Sequence, residues 1–461
     1  MSLASALDRI DAALPASLER LFAFVRLKSI SADPAYADEV RMAGTWCVAE
    51  LEGLGFEASL RETPGHPMVV AHWTGPVADE ARHVLFYGHY DVQPVDPLHL
   101  WRSDPFDPKI EVQDGVKVIV GRGAADDKGQ TLTFIEAVRA LLAEDGRLPV
   151  RVTVLLEGEE ESGSPSLEPF LAAHKDELAR DVALVCDTNM WARRRPAITA
   201  SLRGLVGEEV TIACADRDLH SGLFGGPAWN PIRLLTHVLA DLHDADGRVT
   251  LPGFYDGVGD LPDEVWKSWE ALGTTEATFL APVGLKTPAG EVGRSILEQV
   301  WARPTCEFNG ILGGYTGDGF KTVLPATASA KVSFRLVVGQ DPAKIREAFR
   351  AHVRDRLPPD ATASFHPHGG SPGLALPWDS PWLKVGLTAL EAEWGVPAVV
   401  IGGGGSIPVV GSFERILGMR SLLVGFGLDD DRIHSPNEKY DLESFHKGIR
   451  SWARILTALA E

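Results

Sequence analysis

The sequence is poor in cysteine and has no long apolar run. Its four cysteines are scattered and lack the CxxC spacing of a zinc knuckle or a redox pair: Cys47, Cys186, Cys214 and Cys306. Isolated thiols of this kind are typical of a reducing cytoplasm. No apolar stretch approaches the length that spans a membrane, and the N-terminus lacks the basic and apolar segments of a signal peptide. We therefore expect a cytoplasmic protein that does not bind membranes.

Basic side chains are also in deficit. The chain has 44 Lys and Arg against 64 Asp and Glu, a formal net charge of −20. Nucleic acids and anionic membranes require a basic surface, so both are disfavoured as partners. The chain shows neither internal repeats nor low-complexity tracts. With 461 residues, 45% of them hydrophobic, it has enough material for more than one globular domain.

Helical and strand-like patterns alternate through most of the chain. Apolar side chains recur at helical spacing in 7–27, 40–54 and 131–144, whereas 68–73, 83–87 and 150–156 read as strands. This alternation predicts an α/β fold, in which helices flank a mostly parallel sheet.

The pattern changes in the middle of the chain. Residues 204–371 contain alternating strands, a helix and a long segment rich in proline and glycine, and after residue 372 the alternation of helix and strand resumes. We therefore predict one domain formed by 1–203 and 372–461, with an α+β domain inserted between its two parts.

An acidic turn follows the strand at 150–156. Its sequence, Glu157-Gly-Glu-Glu-Glu-Ser-Gly-Ser164, places four carboxylates within five positions. Like charges this close repel, so the turn requires either full solvation or bound cations. A solvated surface turn is one interpretation. The other is a functional site, because ligands collect at the ends of strands in α/β folds.

Other polar residues follow predicted strands in the same way. His89 and Asp91 lie two positions apart, so they face the same way in an extended segment. Asp126 and Asp127 precede a helix, where a capping aspartate is the simpler interpretation, and Asp187 and His434 end or follow further strands. Histidines and carboxylates together are ligands for zinc, manganese or cobalt, and two such ions usually share one carboxylate. Jointly the motifs indicate a metal site.

In this order, from Gly88-His-Tyr-Asp91 to His434-Ser-Pro-Asn-Glu-Lys439, the motifs resemble those of the M20 metallopeptidases. That family includes carnosinase-type dipeptidases, acetylornithine deacetylase and succinyl-diaminopimelate desuccinylase. The resemblance implies a di-zinc peptidase-like catalytic domain, an inserted lid that also dimerises, and two divalent ions per subunit. Zinc is the expected metal, with manganese or cobalt as alternatives.

The resemblance also implies roles for individual residues. Glu160 would be the general base, which takes a proton from a water bridging the two ions, and Asp91 would orient a ligand. The expected metal ligands are His89, Asp126, Glu161, Asp187 and His434, with Asp126 shared by both ions and followed by a cis peptide bond. Glu157 and Glu159 receive no role and are expected to be solvated.

Residues of the lid would contact the substrate. By resemblance His220 would stabilise the oxyanion in the active site of the partner subunit of a homodimer, and Arg335 would bind a substrate carboxylate. The further expected contacts are Thr322, His368 and Ser406. The glycines at 402–405 are not followed by the Lys-Ser/Thr of a phosphate loop. Gly403 stands where dipeptidase relatives carry an acidic residue.

The implied reaction is metal-dependent hydrolysis of the amide bond in dipeptides or short peptides with a free C-terminal carboxylate. An N-acyl-amino-acid amidohydrolase is the alternative, with the same site and a different acyl group. A scaffold protein that has lost its chemistry is a third interpretation, and the complete ligand set argues against it.

Overall fold

The computed structural model describes residues 3–77, 81–405 and 407–460. The helices are α1 Leu3–Val25, α2 Ala37–Gly53, α3 Lys128–Asp145, α4 Leu167–Ala173, α5 Lys175–Leu178, α6 Ser221–Phe224, α7 Pro231–Ala240, α8 Asp263–Glu270, α9 Glu276–Leu280, α10 Ile296–Trp301, α11 Pro342–Arg354, α12 Pro381–Trp394, α13 Pro408–Ser412 and α14 Leu442–Ala458. None of these described helices is long and apolar enough to cross a membrane.

The strands are β1 Glu57–Arg61, β2 Met68–His72, β3 His83–His89, β4 Lys109–Gln113, β5 Val116–Val120, β6 Arg151–Glu157, β7 Val182–Val185, β8 Ala197–Leu202, β9 Gly204–Ala213, β10 Leu219–His220, β11 Thr305–Gly313, β12 Val323–Leu324, β13 Thr327–Leu336, β14 Thr362–Ser371, β15 Leu374–Ala375, β16 Val399–Gly403, β17 Ser421–Leu423 and β18 Lys439–Asp441.

The chain divides into two compact units. Unit 1 comprises Met1–Ala200, Leu376–Ile401 and Ser412–Glu461, and unit 2 comprises Ser201–Ala375 and Gly402–Gly411. The short glycine-rich segment 402–411 therefore groups with the inserted part of the chain, although it follows that part by some distance in sequence.

A nine-stranded sheet has all of its strands except β15 wholly or mainly in unit 1. Its strand order is β1-β2-β6-β3-β7-β17-β8-β15, and β16 also pairs with β8. The pairs β6·β3, β3·β7 and β7·β17 are parallel, whereas β1·β2, β2·β6, β17·β8 and β8·β15 are antiparallel. The predicted α/β fold is confirmed, but the sheet is mixed and not mostly parallel, because parallel pairing is confined to the central strands that lead to the polar motifs.

The central strands consist mainly of apolar residues, as is typical of strands that are buried on both faces of a sheet. Every residue of β7 is buried, and so is every residue of β3 after the first. Helices α1, α3, α12 and α14 pack on one another beside the sheet. Phe86 of β3 stacks on Phe134 of α3, and Trp452 of α14 meets both rings edge-on. This aromatic cluster fixes α3, and with it the loop before α3, against the sheet.

A separate three-stranded sheet in unit 1 has the order β18-β5-β4, with antiparallel pairing throughout. Because β18 pairs with β5, the loop that follows β5 lies beside the segment that precedes β18. Asp126 lies in the first of these loops and His434 in the second. The pairing brings together two polar motifs that are about three hundred residues apart in sequence.

Unit 2 contains a four-stranded antiparallel sheet of order β11-β13-β9-β14. Burial alternates strictly along β9 and β13, so one face of the sheet is covered and the other is open. Helices α7 and α11 pack against this sheet, and the apolar core between them includes Phe334 and Phe349. A two-stranded sheet, β10·β12, joins Leu219–His220 to Val323–Leu324.

We expect the aromatic cluster to dominate the stability of unit 1. The Trp452→Ala substitution should lower the free energy of unfolding by about 3–5 kcal/mol, because a fully buried ring is lost and leaves a cavity. Urea unfolding followed by far-UV circular dichroism measures the change. Trp266→Ala is the control, since Trp266 is 39% exposed and its loss should change stability by about 0.5 kcal/mol or less. Equal losses in the two variants would contradict this account.

Candidate metal centre

Three of the polar motifs lie at the carboxyl ends of neighbouring parallel strands. His89 is the last residue of β3, the acidic turn follows β6, and Asp187 follows β7 by two residues. Parallel strands end at the same edge of a sheet, so these side chains meet there. The sheet thus delivers one histidine and several carboxylates to a single place in unit 1.

Two groups of side chains bring possible ligand atoms within 4.8 Å of one another: His89, Asp126 and Asp187, and Asp126, Glu161 and His434. Asp126 belongs to both groups. Its Oδ1 lies 3.1 Å from Nε2 of His89, and its Oδ2 lies 3.0 Å from Nε2 of His434. Nε2 of His434 also lies 3.2 Å from Oε2 of Glu161. All five sequence-predicted ligands are therefore together.

Two backbone features occur at residues whose side chains meet in the site. His434 has a φ of 60°, in the left-handed region that few residues other than glycine adopt. The peptide bond between Asp126 and Asp127 is cis, as the resemblance implies.

The electrostatics of the groups fit bound cations. Burial, together with the nearby Asp126 and Asp127 charges, raises the pKa of Asp187 well above its usual range. Burial opposes ionisation of Asp126 too, but His434 and His89 outweigh it and hold the Asp126 pKa below its usual range. Hydrogen bonding to Asp126 and Glu161 raises the pKa of His434 to about 10. Protons on the histidines thus balance part of the negative charge, and a metal ion would replace them.

The donor set also matches divalent transition metals. Each group combines imidazole nitrogen with carboxylate oxygen, the ligands that zinc, manganese and cobalt accept. One shared carboxylate between two groups is the arrangement that holds a pair of ions. The residues therefore fit a two-metal centre.

Glu160 and Asp91 lie beside these groups. Burial, together with the Asp187, Glu161 and Asp91 charges, raises the pKa of Glu160 to about 8 against the opposing effect of His89. Asp91 is fully buried, and its carboxylate accepts the amide N–H groups of Glu160 at 3.3 Å and Glu161 at 3.1 Å. Asp91 therefore fixes the backbone of the acidic turn. A carboxyl with a pKa near neutrality is suited to general acid and base chemistry.

The expectation that Glu157 and Glu159 are solvated was wrong, since both are buried. Tyr87 donates a 2.7 Å hydrogen bond to Glu157, whose pKa burial raises to about 8. Glu159 accepts the amide N–H groups of His66 at 2.5 Å and Ser166 at 3.1 Å. Because these carboxylates bond to other segments of the chain, the turn is folded inward and is not a surface loop.

Two supporting residues escaped the sequence analysis. Asp127 occupies the position before α3 but makes no capping bond there. Its carboxylate accepts the amide N–H of His89 at 3.1 Å and the Thr131 hydroxyl at 2.9 Å, and so ties β3 to α3. Gln93 donates to Oε2 of Glu161 at 2.8 Å. The second aspartate of the Asp-Asp pair was a visible signal for Asp127, whereas nothing in the sequence singled out Gln93.

In unit 2 the predicted substrate residues form two clusters. Arg335 and His368 lie on the open face of the four-stranded sheet, because Arg335 pairs with Leu205 of β9 and His368 pairs with Gly207. His220 and Thr322 lie at the two-stranded sheet, where the Ser221 amide N–H donates to the Thr322 carbonyl at 3.0 Å. Ser406 lies outside the described residues.

Arg203 adds positive charge near Arg335. Burial, with a further contribution from the Arg335 charge, lowers the pKa of Arg203 to about 10. Arg203 donates from Nε to the Gly404 carbonyl at 3.0 Å, and its amide N–H donates to the Gly403 carbonyl at 3.2 Å. Both arginines line a cavity of about 560 Å³ in unit 2. Glu307 lines the same cavity, so the two guanidinium groups are only partly balanced and the region suits an anionic ligand.

A two-metal centre on an α/β sheet defines a class of metal-dependent hydrolases. The model of peptidase family M20/M25/M40 matches residues 85–458, which is most of the chain. The chain therefore belongs to this family, and the prediction of an M20-type metallopeptidase is confirmed.

Individual proteins that resemble the chain are dipeptidases or a carboxypeptidase by name. The chain is 30% identical over 476 residues to the Cys-Gly metallodipeptidase dug1 of Schizosaccharomyces pombe, covering 100% of this chain and 99% of that protein. It is 31% identical to human Beta-Ala-His dipeptidase, covering 82% of this chain and 75% of that protein. The solved M20 metallo-carboxypeptidase Sso-CP2 of Sulfolobus solfataricus superposes with a TM-score of 0.82 at 30% identity, covering 96% and 99% of the two chains.

The site makes the stability of metal-free protein depend on pH. Glu160 has a folded pKa of about 8 against an ordinary value of 4.5, so its contribution is present at low pH and is lost as pH rises to about 8. His434 has a folded pKa of about 10 against 6.5, so its contribution is lost as pH rises through about 10. The melting temperature of chelator-stripped protein should therefore fall as pH rises above about 5.

Differential scanning fluorimetry across pH measures this fall, and Glu160→Gln is the matched variant. It removes one titrating group, so its melting temperature should depend less on pH between about 5 and about 8. Added zinc should raise the melting temperature more at the upper end of this range than at the lower end, because protons compete with the metal. A melting temperature that rises with pH in the stripped protein would contradict the account.

Proposed function

We propose that this protein is a metal-dependent dipeptidase that hydrolyses short peptides with a free C-terminal carboxylate. The observation that carries the proposal is the pair of ligand groups sharing Asp126, with Glu160 beside them. The dipeptidase names of relatives that match over most of their length support the substrate class.

In the proposed reaction, His89, Asp126 and Asp187 would hold one divalent ion, and Asp126, Glu161 and His434 would hold the other. Bound there, the ions would supply positive charge that acidifies a water molecule and polarises the substrate carbonyl.

Glu160 takes the proton from the attacking water as the oxygen bonds to the carbonyl carbon. The C–N bond then breaks, and Glu160 returns the proton to the departing amine. In the metal-free protein the pKa of Glu160 is raised to about 8, and the positive charge of bound ions would lower it, so that the carboxyl could both take up and return a proton near neutral pH.

We propose zinc as the metal, with manganese or cobalt as alternatives. Both groups are mixed in nitrogen and oxygen donors, and none of their ligands is a cysteine. Such sites accept several first-row ions, so metal availability also decides which one is bound.

We propose that Arg335 binds the substrate carboxylate, with His368 as a neighbouring contact on the same face. Among the described residues, no carboxylate lies within ion-pair distance of the Arg335 side chain, and Arg203 reinforces the local positive charge. A planar guanidinium without such a partner is suited to paired hydrogen bonding with a carboxylate. Thr322 and Ser406 remain proposed contacts by resemblance.

Gly403 keeps the N-acyl-amino-acid amidohydrolase as a second candidate. Dipeptidase relatives carry an acidic residue there, which would sit near a free substrate amine. In this chain the position offers only a backbone carbonyl, which accepts from Arg203. The names of the relatives favour the dipeptidase.

Activity with and without metal tests the proposal. Chelator-stripped protein should regain amine release from an unblocked dipeptide on addition of zinc or manganese, and should prefer it to the N-acetylated dipeptide. Glu160→Gln should still bind metal but should lower kcat by about 10²- to 10⁴-fold, because the proton acceptor is lost. Isothermal titration calorimetry measures the binding.

The outcomes separate the candidates. Preference for the N-acetylated compound would move the assignment to the amidohydrolases. Metal-independent cleavage, or full activity in Glu160→Gln, would contradict the mechanism.

We propose that unit 2 is a lid that also forms a homodimer. Strand β11 is an edge strand of the four-stranded sheet. On and after it lies a series of exposed apolar side chains: Phe308, Ile311, Leu312, Tyr315 and Phe320. Exposed apolar edges of this kind pair with other chains. His220 is exposed in the same unit and is therefore available to a partner subunit.

Mixing two inactive variants tests whether His220 acts on the partner's site. A dimer of one His220→Ala subunit and one Glu160→Gln subunit would contain one complete site, formed by Glu160 of the first and His220 of the second. After denaturation and refolding together, about a quarter of wild-type activity should return. The separately refolded variants are the control. If His220 acts within its own subunit, the mixture should be no more active than the separate variants.

We also propose a cytoplasmic location. All four cysteines are free, and three of them, Cys47, Cys186 and Cys306, are buried. Free thiols fit a reducing compartment.

A further inference from the structure

Glu438 belongs to the segment His434-Ser-Pro-Asn-Glu-Lys439, in which only His434 has an assigned role. We infer that Glu438 is a positioning residue that holds the backbone of Asp126, so that the Asp126 carboxylate faces both ligand groups. This inference rests on the proposed two-metal centre, and it concerns a residue that would not touch either ion.

The contacts of Glu438 use both oxygens of its carboxylate. The side chain is fully buried. Oε2 accepts from Nη1 of Arg122 at 2.6 Å and from the Gly123 amide N–H at 3.0 Å. Oε1 accepts from the amide N–H groups of Ala125 at 2.9 Å and Asp126 at 3.1 Å. One carboxylate therefore holds three amide N–H groups of the turn that ends in Asp126.

The turn is buried from Gly121 to Asp127, where an unpaired N–H costs free energy. Its Arg122 and Ala124 amide N–H groups donate to backbone carbonyls, whereas those of Gly123, Ala125 and Asp126 donate to Glu438. A main-chain N–H group cannot rotate independently of its peptide plane. A hydrogen bond from it to a carboxylate therefore fixes the orientation of that plane. With its amide N–H held by Glu438, Asp126 directs its two oxygens to His89 on one side and His434 on the other.

Glu438 also couples the two loops that form the site. It lies four residues after His434, and its own carbonyl accepts the Gly121 amide N–H at 3.1 Å. The pairing of Lys439 with Val120 continues this contact into β18 and β5. The placement of Asp126 and that of His434 thus depend on the same residue.

A glutamine cannot replace this carboxylate. The amide nitrogen of glutamine is a donor, and each oxygen of Glu438 faces two donors. In Glu438→Gln, either orientation of the new side-chain amide would set N–H against N–H, so the turn would have to move. The neutral side chain would also leave the buried Arg122 without its counter-charge.

The test measures metal affinity directly rather than activity. In Glu438→Gln, both ions should bind about 10- to 100-fold more weakly, the usual cost of losing a residue that orients a ligand. Both should weaken because Asp126 belongs to both ligand groups. In Asp187→Asn, by contrast, one ion should weaken much more than the other, because Asp187 belongs to one group. Calorimetric titration of stripped protein with zinc resolves the two cases.

Glu393→Gln is the matched control. Glu393 is a buried glutamate of unit 1 that accepts from Arg450 at 2.7 Å and Arg454 at 2.8 Å, away from the ligand groups. Its loss should lower stability but leave zinc affinity unchanged. The visible absorption spectrum of the cobalt-loaded protein gives a second readout, since it reports ligand geometry. It should change in Glu438→Gln and stay as in wild type in Glu393→Gln.

Glu438→Asp is a second variant that keeps the test valid if Glu438→Gln does not fold. It keeps the charge opposite Arg122 but is one methylene too short to reach all four donors, so its zinc affinity should lie between those of wild type and Glu438→Gln. Wild-type affinity and cobalt spectrum in both Glu438 variants would overturn the inference, and so would an equal loss in Glu393→Gln. A wild-type protein that binds no divalent ion would instead overturn the proposed function.

Discussion

One constraint shapes the candidate metal centre of unit 1, the mutual repulsion of carboxylates that follow the strands β5, β6 and β7. Asp126, Asp187, Glu160 and Glu161 meet where water is scarce, so their charges must be balanced by protons, histidines or metal ions. Such a cluster would expand if its backbone were free to move. The surrounding residues therefore serve mainly to prevent that movement.

Other buried carboxylates provide this restraint. Asp91 holds the amides of the acidic turn, Asp127 holds the end of β3, Glu159 holds two distant segments, and Glu438 holds the turn before α3. Each accepts main-chain N–H groups, which have no freedom to reorient. Negative charge thus serves two purposes at this site: some carboxylates face the metal positions, and others fix the backbone that presents them.

The sequence predicted the carboxylates that form the ligand groups, and it largely missed the carboxylates that fix the backbone. An apolar run that ends in His89 or Asp187 reveals a strand and its polar end in one local pattern. Glu159 shows no such pattern, because the His66 amide that it accepts comes from another part of the chain. Glu438 depends on the three-residue strand β18, which is too short to show periodicity, and on its pairing with β5. Long-range contacts of this kind leave no local signature.

Each unit brings side chains of like charge together in one place. Unit 1 presents carboxylates that require cations, whereas unit 2 presents Arg203 and Arg335, whose proximity contributes to lowering the pKa of Arg203. The free carboxylate at the end of the proposed substrate complements a guanidinium group. Gly403 has no side chain that could balance the charge of a free substrate amine. Charge therefore favours recognition of the carboxylate end of the substrate, which is the role that we propose for Arg335.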